Sequence, residues 1–355
     1  MLERMKSLLR PSARVIGLDI GSGAIKLVEI KRGAGGIILN RLGLAELTIG
    51  AVEDGRIVNR DTVLAALRQA ILISGTNCKD TVMAVNGRTL FVREISMPAM
   101  KKAELKSALV WELEKYVPYP AEKCYYDFAV IGQGQSELET RILFVAIPRE
   151  QVDGLVELVR EAGLRPRIVD IEPLAIFRTL DYAENSMLVD IGEMTSQFLV
   201  FRQGIPVISR TVAFGGRRFT EVITETLGID YSEAERFKHH QKDLLPDRDS
   251  GEKQSPLQRK LMLLVEELIR EVHRTVEYYH IENRELSVEK IILSGGGALL
   301  GRLAIQMAAL LDTEVVVHDP LYRFRLAPSL ERQTFALAAC RFSVAAGLGL
   351  RGVEI

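Results

Sequence analysis

The chain is poor in the residues that build metal cages, disulfide scaffolds and membrane spans. Three cysteines, Cys78, Cys124 and Cys340, are scattered through 355 residues. They fit no metal-ligand spacing, and an odd, sparse set makes no disulfide framework; they read as packing thiols in a reducing compartment. No apolar run approaches the roughly 20 residues needed to cross a bilayer. Of five histidines, His239 and His240 follow a polar helix face and His273 and His280 fall on a long helix, so none suggests an acid–base pair. The formal net charge of -1 gives no global field that would draw nucleic acid. Residues 1–10 carry positive charge without a signal-peptide core and read as a surface-docked terminus or a short amphipathic turn. These absences make the chain cytoplasmic by default.

What remains is an ordinary globular composition, 47% hydrophobic and 26% charged, long enough for two domains. Strand and helix patterns alternate. The first half reads as strands at 15–20, 24–30 and 37–47, a helix at 61–72 capped by Asp61, and a hairpin of 81–85 with 90–95 around Asn86-Gly87. An amphipathic helix at 102–116 follows, stopped by Pro118 and Pro120, then strands 124–131 and 140–146 and a helix at 150–162. The second half reads as strands 187–191, 196–201 and 207–212, with helices at 217–227 and 232–240. Residues 243–256, rich in charge, Pro and Gly, are expected at the surface or disordered. A long helix at 257–283, a strand at 290–293, a helix at 299–311, a strand at 314–317 and an Ala-rich helix at 333–350 complete the chain.

One internal repeat stands out. Asp19-Ile20-Gly21-Ser22-Gly23 follows an apolar strand and leads into a second one; Asp190-Ile191-Gly192-Glu193-Met194-Thr195-Ser196 does the same. The two copies open the two halves of the chain, as a duplicated domain requires. Glycine lets backbone N–H groups approach phosphate oxygens, and a strand-end aspartate can hold a hydrated magnesium ion. Two such bends facing each other would clamp a magnesium-bound triphosphate, with Lys26 adding a compact positive charge. A single copy is more often only a hairpin; the duplication carries the phosphate reading. Late in the chain Ser294-Gly295-Gly296-Gly297 runs from a strand into a helix, where the backbone can lie against an adenine ring or a phosphate. Alone, it reads equally well as a close-packed strand-to-helix turn.

At these residues the sequence resembles the actin-like ATPase superfamily. Gly21 to Lys26 is similar to its first phosphate loop, Asp190 to Ser196 to its second, and Ser294 to Gly297 to its adenosine motif. Within the superfamily the opening Asp19 to Glu29, Glu112-Leu113-Glu114-Lys115-Tyr116-Val117-Pro118-Tyr119, Val169-Asp170-Ile171-Glu172-Pro173 and the ending Ala345 to Arg351 resemble the PilM family of type IV pilus assembly proteins. The resemblance implies an α/β fold of two actin-like, ribonuclease-H-like domains around a nucleotide cleft. The first would span 1–184, with a small α+β insert at about 81–148 and a closing helix from 333–355. The second would span 185–332, with a helical part at about 217–286.

The same resemblance implies ATP and Mg as cofactors, with Asp19 and Asp190 holding the metal through water. Gly21, Ser22, Gly23, Lys26, Gly192, Thr195 and Ser196 would take the phosphates, with Gly215, Gly216, Gly295, Gly296 and Gly297 bordering the nucleotide. Glu235 and Lys238 would contact ribose or base, or else form an exposed helix ion pair. Glu172 is the candidate to order water, with a cap or ion pair as its other reading. ATP binding with slow hydrolysis at most is the expectation. The implied partner is the cytoplasmic N-terminal tail of the inner-membrane protein PilN, alongside other pilus motor or platform proteins, with membrane contact only through partners and no nucleic acid.

Two other readings share the fold. One is a small-molecule kinase, although no sugar-recognition signature is visible. The other is an adaptor like cell-division FtsA, whose relatives usually carry a C-terminal linker and a basic membrane helix, whereas this sequence ends at Ile355 directly after its closing helix.

Overall fold

The computed structural model describes residues 14–33, 35–117, 119–134, 136, 138–180, 185–247, 253–282, 288–331 and 335–354. The expectation for residues 1–10 lies outside them. The first half opens with an antiparallel meander of β1 (Arg14–Ile20), β2 (Ala24–Gly33) and β3 (Gly36–Glu46). A short hairpin, β4 (Val52–Glu53) and β5 (Arg56–Ile57), leads into α1 (Arg60–Ser74). The cap of α1 is Asn59, which accepts from the Thr62 N–H at 3.1 Å, and Asp61 sits inside the first turn instead. The helix takes the register that buries Val63, Leu64, Leu67 and Ala70.

Next come β6 (Asp80–Val85), β7 (Phe91–Pro98), α2 (Lys102–Tyr116), β8 (Cys124–Gln133), β9 (Glu139–Pro148), α3 (Arg149–Glu161), β10 (Arg165–Ile171) and α4 (Glu172–Thr179). The expected hairpin around Asn86-Gly87 does not form. β6 lies between β1 and β10, parallel to both, while β7 pairs with β9 in a different sheet. Gly87 does turn the chain, with φ of +102°. However, Thr81, Val82 and Met83 are all buried, the signature of a central parallel strand covered on both faces.

The second half carries β11 (Ser186–Ile191), β12 (Ser196–Arg202) and β13 (Ile205–Val212), then α5 (Gly216–Leu227), α6 (Tyr231–His240) and α7 (Pro256–Glu282). It closes with β14 (Lys290–Ser294), α8 (Leu303–Leu311), β15 (Glu314–Val317), β16 (Arg325–Leu326) and α9 (Ser343–Glu354). The first sheet has the order β10-β6-β1-β2-β3-β16. The second runs β15-β14-β11-β12-β13-β7-β9-β8, so the β7–β9 segment of the first half extends the sheet of the second.

Two expectations shift. Residues 243–247 are not a solvated loop: Leu244 and Leu245 are buried, Arg302 pairs with Asp243 at 2.8 Å and Asp247 at 3.0 Å, and Gln306 donates to the Pro246 carbonyl. Two of the charges that suggested solvation over 243–256, Asp243 and Asp247, are the partners of one arginine; residues 248–252 lie outside the described ones, and 253–256 are exposed as expected. The closing helix starts at Ser343, preceded by 3-10 turns over Ala336–Phe342 that bring Cys340 to the end of β14.

Three cores hold the frame. One packs α1 and α3 on the first sheet, through Leu18, Leu67, Met83 and Leu158. Another packs α5, α7 and α8 on the second, through Phe198, Phe219, Leu261 and Met307. Between the sheets lies the third, where α4 and α9 bring Ala175, Ile176, Ala345 and Leu348 against Val28 and Val82 on one side and Leu188 and Leu199 on the other. α4 and α9 touch so closely that a Cβ on Gly347 would stand 1.7 Å from the Ala175 carbonyl oxygen. A smaller cluster around Leu105, Leu109, Ile142 and Phe144 seats α2 on β7 and β9. All three cysteines are free, Cys78 half-buried and the other two buried.

Candidate functional site

The two Asp-Ile-Gly bends are built alike. In each, the glycine N–H closes the turn on a carbonyl three residues on: Gly21 to Ala24 at 3.1 Å and Gly192 to Thr195 at 3.0 Å. In each, the aspartate stands opposite the residue seven positions later on the returning strand: Asp19 opposite Lys26, and Asp190 opposite Gln197. Residues directly opposite in an antiparallel pair share one face. The Lys26 ammonium uses that geometry to reach Asp19 Oδ2 at 3.1 Å.

The bends face each other. A Cβ on Gly23 would lie 2.9 Å from the Cβ of Glu193, so the tip of one loop rests on the other. Behind the second loop, the start of α5 fastens to it, with the Gly216 N–H donating to the Gly192 carbonyl at 2.8 Å and Arg217 N–H to Glu193 at 3.0 Å. Beside it, Gly295 turns with φ of +80° so close that a Cβ would meet the Ile191 carbonyl oxygen at 2.4 Å. Only glycine fits that position.

Together these loops wall a cleft of about 1240 Å3. It is lined by Asp19, Gly21, Ser22, Gly23, Lys26, Glu172, Asp190, Gly192, Thr195, Gly216, Glu235, Lys238, Gly295, Gly296 and Gly297. Two expected residues lie behind the wall. Ser196 is fully buried and its hydroxyl donates to the Phe214 carbonyl at 2.6 Å. Gly215 is buried under the Glu193 backbone. For Ser196 the reason is strand alternation: successive side chains point to opposite faces, and Gln197 takes the cleft side.

Acidic groups crowd the floor. Glu172 begins α4 and accepts from Asn86 Nδ2 at 2.5 Å, which ties the end of β6 to the connection between the halves. Burial, with Asp19 and Asp190 nearby, pushes its carboxyl up to about 8. Burial likewise raises Asp190 to about 6. Among the described residues no group of three or more His, Cys, Asp or Glu is placed to hold a metal directly.

At the other end, α6 supplies a compact polar knot. Lys238, only 3% exposed, donates to Glu235 Oε2 and Thr220 Oγ1, each at 2.7 Å, and to the Gly216 carbonyl at 3.2 Å. Burial acts to raise the Glu235 carboxyl, but hydrogen bonds from His239, Lys238 and Thr220 outweigh it and hold the group at about 2. The pair is therefore not an exposed helix bridge, and His239 belongs to the knot instead of solvent. Tyr231 on the same helix donates to Glu193 Oε1.

Sequence reasoning missed Asn86, taken as a hairpin turn, and Gln197. It also missed Ser343, whose hydroxyl accepts from Ser294 at 2.8 Å at the cleft wall. A signal for Gln197 was present, since it holds the position in the second bend that Lys26 holds in the first.

Comparison with known proteins bears on the family and the fold. The chain is similar to a solved PilM–PilN type IV pilus biogenesis complex at 26% identity, covering 97% of this chain and 100% of that one, with a TM-score of 0.83. It is 23% identical to the cell division protein FtsA of Bacillus subtilis (strain 168), over 86% of this chain and 79% of that protein. MreB5 of Spiroplasma citri bound to AMPPNP shares the fold, at 12% identity and a TM-score of 0.54, covering 96% of each chain. The family described as type IV pilus assembly protein PilM matches residues 17–353. With two actin-like domains flanking a glycine-walled cleft and a family match along nearly its whole length, the chain belongs to the PilM family of type IV pilus assembly proteins.

Proposed function

We propose that this chain binds Mg-ATP between its two domains, is cytoplasmic, and holds the cytoplasmic tail of a PilN-type inner-membrane protein, so that nucleotide state bears on assembly of the pilus platform. One observation carries the reading: the two Asp-Ile-Gly bends meet across a single cleft, Gly23 against Glu193, with Lys26 and the glycines of both halves lining it. Gly23 and Gly295 let the loops pack this closely, since a Cβ at either would collide with Glu193 or with the Ile191 backbone. The crowded carboxylates Asp19, Asp190 and Glu172 suit a hydrated divalent cation held with the phosphates, since a cation offsets the burial that raises Glu172 and Asp190 and the smaller repulsion among the three. When bound, such an ion neutralises phosphate charge; Asp19 and Asp190 would hold its water ligands.

The knot of Glu235 and Lys238 borders the nucleoside end, and Glu172 is placed to order water, with hydrolysis slow at most. The domains divide near residue 185, with residues 217–286 as the helical part of the second. The expected insert begins after β6, because residues 81–85 are a central strand of the first sheet. Peripheral attachment to the inner membrane runs through the PilN-type partner; among the described residues no helix is long and apolar enough to cross a membrane.

Calorimetry with a PilN-type tail peptide, with and without Mg-ATP, tests partner and cofactor together. Asp19→Ala and Asp190→Ala should each abolish ATP-dependent thermal stabilisation. Unchanged nucleotide affinity in both variants would remove the site assignment.

A further inference from the structure

The edge of the first sheet farthest from the cleft is strongly basic. β1, β6 and β10 run parallel, so their starts gather at one edge, while Asp19, Asn86 and Glu172 stand at their other ends beside the cleft. β1 has seven residues, which sets the two edges roughly 20 Å apart. At the far edge Arg14 stands opposite Lys31, Lys31 opposite Ile38, and Ile38 opposite Arg325. Arg32 follows on β2, Lys79 immediately precedes β6, and Arg165 and Arg167 open β10. Cations therefore reach from one side of the six-stranded sheet to the other, about 24 Å.

Few carboxylates answer them. Asp80 lies 3.1 Å from Arg165 and 4.0 Å from Arg167, and the buried Glu29 lies 3.8 Å from Arg14. These three arginines stay 50% to 65% exposed. Arg325 donates to the Gly35 carbonyl at 3.1 Å, which leaves its charge uncancelled. Lys31, Arg32 and Lys79 have no carboxylate partner among the described residues. α9 ends at the same edge, where a Cβ on Gly352 would stand 2.6 Å from Val15; with its Glu354 counted, seven cations face three carboxylates. Since the whole chain carries -1, this is a local excess.

Apolar groups accompany the charge. The last turn of α1 leaves Leu72 81% and Ile73 55% exposed, and the chain beyond it returns to the edge at Cys78, whose thiol donates to the Arg14 carbonyl at 3.3 Å. In sequence, residues 1–13 lead into β1 at Arg14; they bring Arg4, Lys6 and Arg10 against Glu3, with Leu2, Met5 and Leu9 at helical spacing. Exposed aliphatic side chains gain nothing on a nucleic-acid backbone, whereas beside cations they suit a bilayer surface.

We propose that this edge of the first domain rests directly on anionic lipid headgroups at the inner membrane, as a second attachment beside the PilN-type partner. The contact is independent of nucleotide and takes from the reading above only its location. One weak membrane signal gives marginal, reversible binding, and two together hold. With the basic edge on the lipid, the cleft at the opposite edge opens toward the cytoplasm.

The test is co-sedimentation of the full chain, without PilN, on vesicles of mixed phosphatidylglycerol and phosphatidylcholine and on vesicles of phosphatidylcholine alone. Binding should appear on the anionic vesicles only and be released by high salt. Arg32→Gln with Lys79→Gln should weaken it about tenfold or more, since each cation near an anionic surface contributes separately. Arg259→Gln with Lys260→Gln, an equal loss of exposed charge on α7, should bind like the parent. Thermal melts that match the parent verify that both double variants fold. No binding to anionic vesicles, or equal losses in the two double variants, would overturn the proposal and leave attachment to the PilN-type partner alone. Retention of the parent on duplex DNA, lost in the Arg32–Lys79 variant while vesicle binding is unchanged, would overturn it too and assign the edge to nucleic acid.

Discussion

Gly23 and Glu193 meet at the mouth of the cleft, each on the loop of a different half, with room for a hydrogen but not for a methyl group between them. Glu193 cannot easily yield, because Tyr231 holds its carboxylate from behind. Gly23→Ala should force the loops apart and weaken Mg-ATP binding about tenfold, or ~1.4 kcal/mol. Pairing it with Glu193→Gly should restore most of the loss. A binding isotherm for each variant decides the matter, and an unaffected Gly23→Ala would show the loops to be independent.

Lys238 is enclosed, and its charge is matched almost entirely by Glu235. Removing one member of a buried pair leaves the other charge stranded, which costs about 3 kcal/mol or more. Glu235→Ala should therefore lower the urea midpoint strongly, while Glu235→Leu with Lys238→Met should recover much of it. If the single variant melts like the parent, the knot is not a structural element.

Stability should depend on pH through Glu172. Its carboxyl ionises near 4.5 in the unfolded chain and at about 8 in the fold. Between those values the folded protein binds more protons, so stability falls as pH rises through the window. Lower down, two groups act in opposition. His318, depressed by burial from 6.5 to about 4, contributes stability that is lost as pH falls through that range. Asp190, raised from 3.8 to about 6, loses stability as pH rises through its own range. The stretch from 6.5 to 8 thus isolates Glu172. Without nucleotide, Tm should decline across it, and Glu172→Gln, which keeps an acceptor for Asn86, should flatten the decline. An equal slope in the variant would assign the titration elsewhere.

At the far end of α4, Thr179 Oγ1 donates to the Ile176 carbonyl at 2.6 Å and lies 2.7 Å from His318 Nε2. The threonine proton is used, so the histidine must be the donor, which fixes its proton on Nε2. Thr179→Val strands that donor and should cost about 1–2 kcal/mol in chemical denaturation, whereas Thr179→Ser should be close to neutral.

Much of this was legible because the decisive features are local. An apolar strand, Asp-Ile-Gly and a second apolar strand form a hairpin wherever they occur, and two copies announce a duplicated cleft. The failures arose where the answer depends on long-range pairing. Nothing in residues 80–98 says that β6 and β7 join different sheets, since a turn at Asn86-Gly87 serves a hairpin and a crossover alike. Residues 243–247 look solvated until Arg302, some sixty positions away, supplies their counter-charge. Ser196 was misassigned for a simpler reason. Counting along a loop ignores strand parity, and once Asp190 is placed on the cleft face its cross-strand partner Gln197 must share it.

The seam between β13 and β7 is the narrowest in the eight-stranded sheet, a single paired position joining Ile208 and Arg93. Thr211, three residues along the same strand, lines the cleft. The outlying β7–β9 unit thereby joins the ribbon that lines the cleft by one backbone rung instead of a full ladder, with the Arg202–Glu94 ion pair beside it. A relative tilt of the two parts of the sheet would therefore strain fewer backbone hydrogen bonds at this seam than at any other in it.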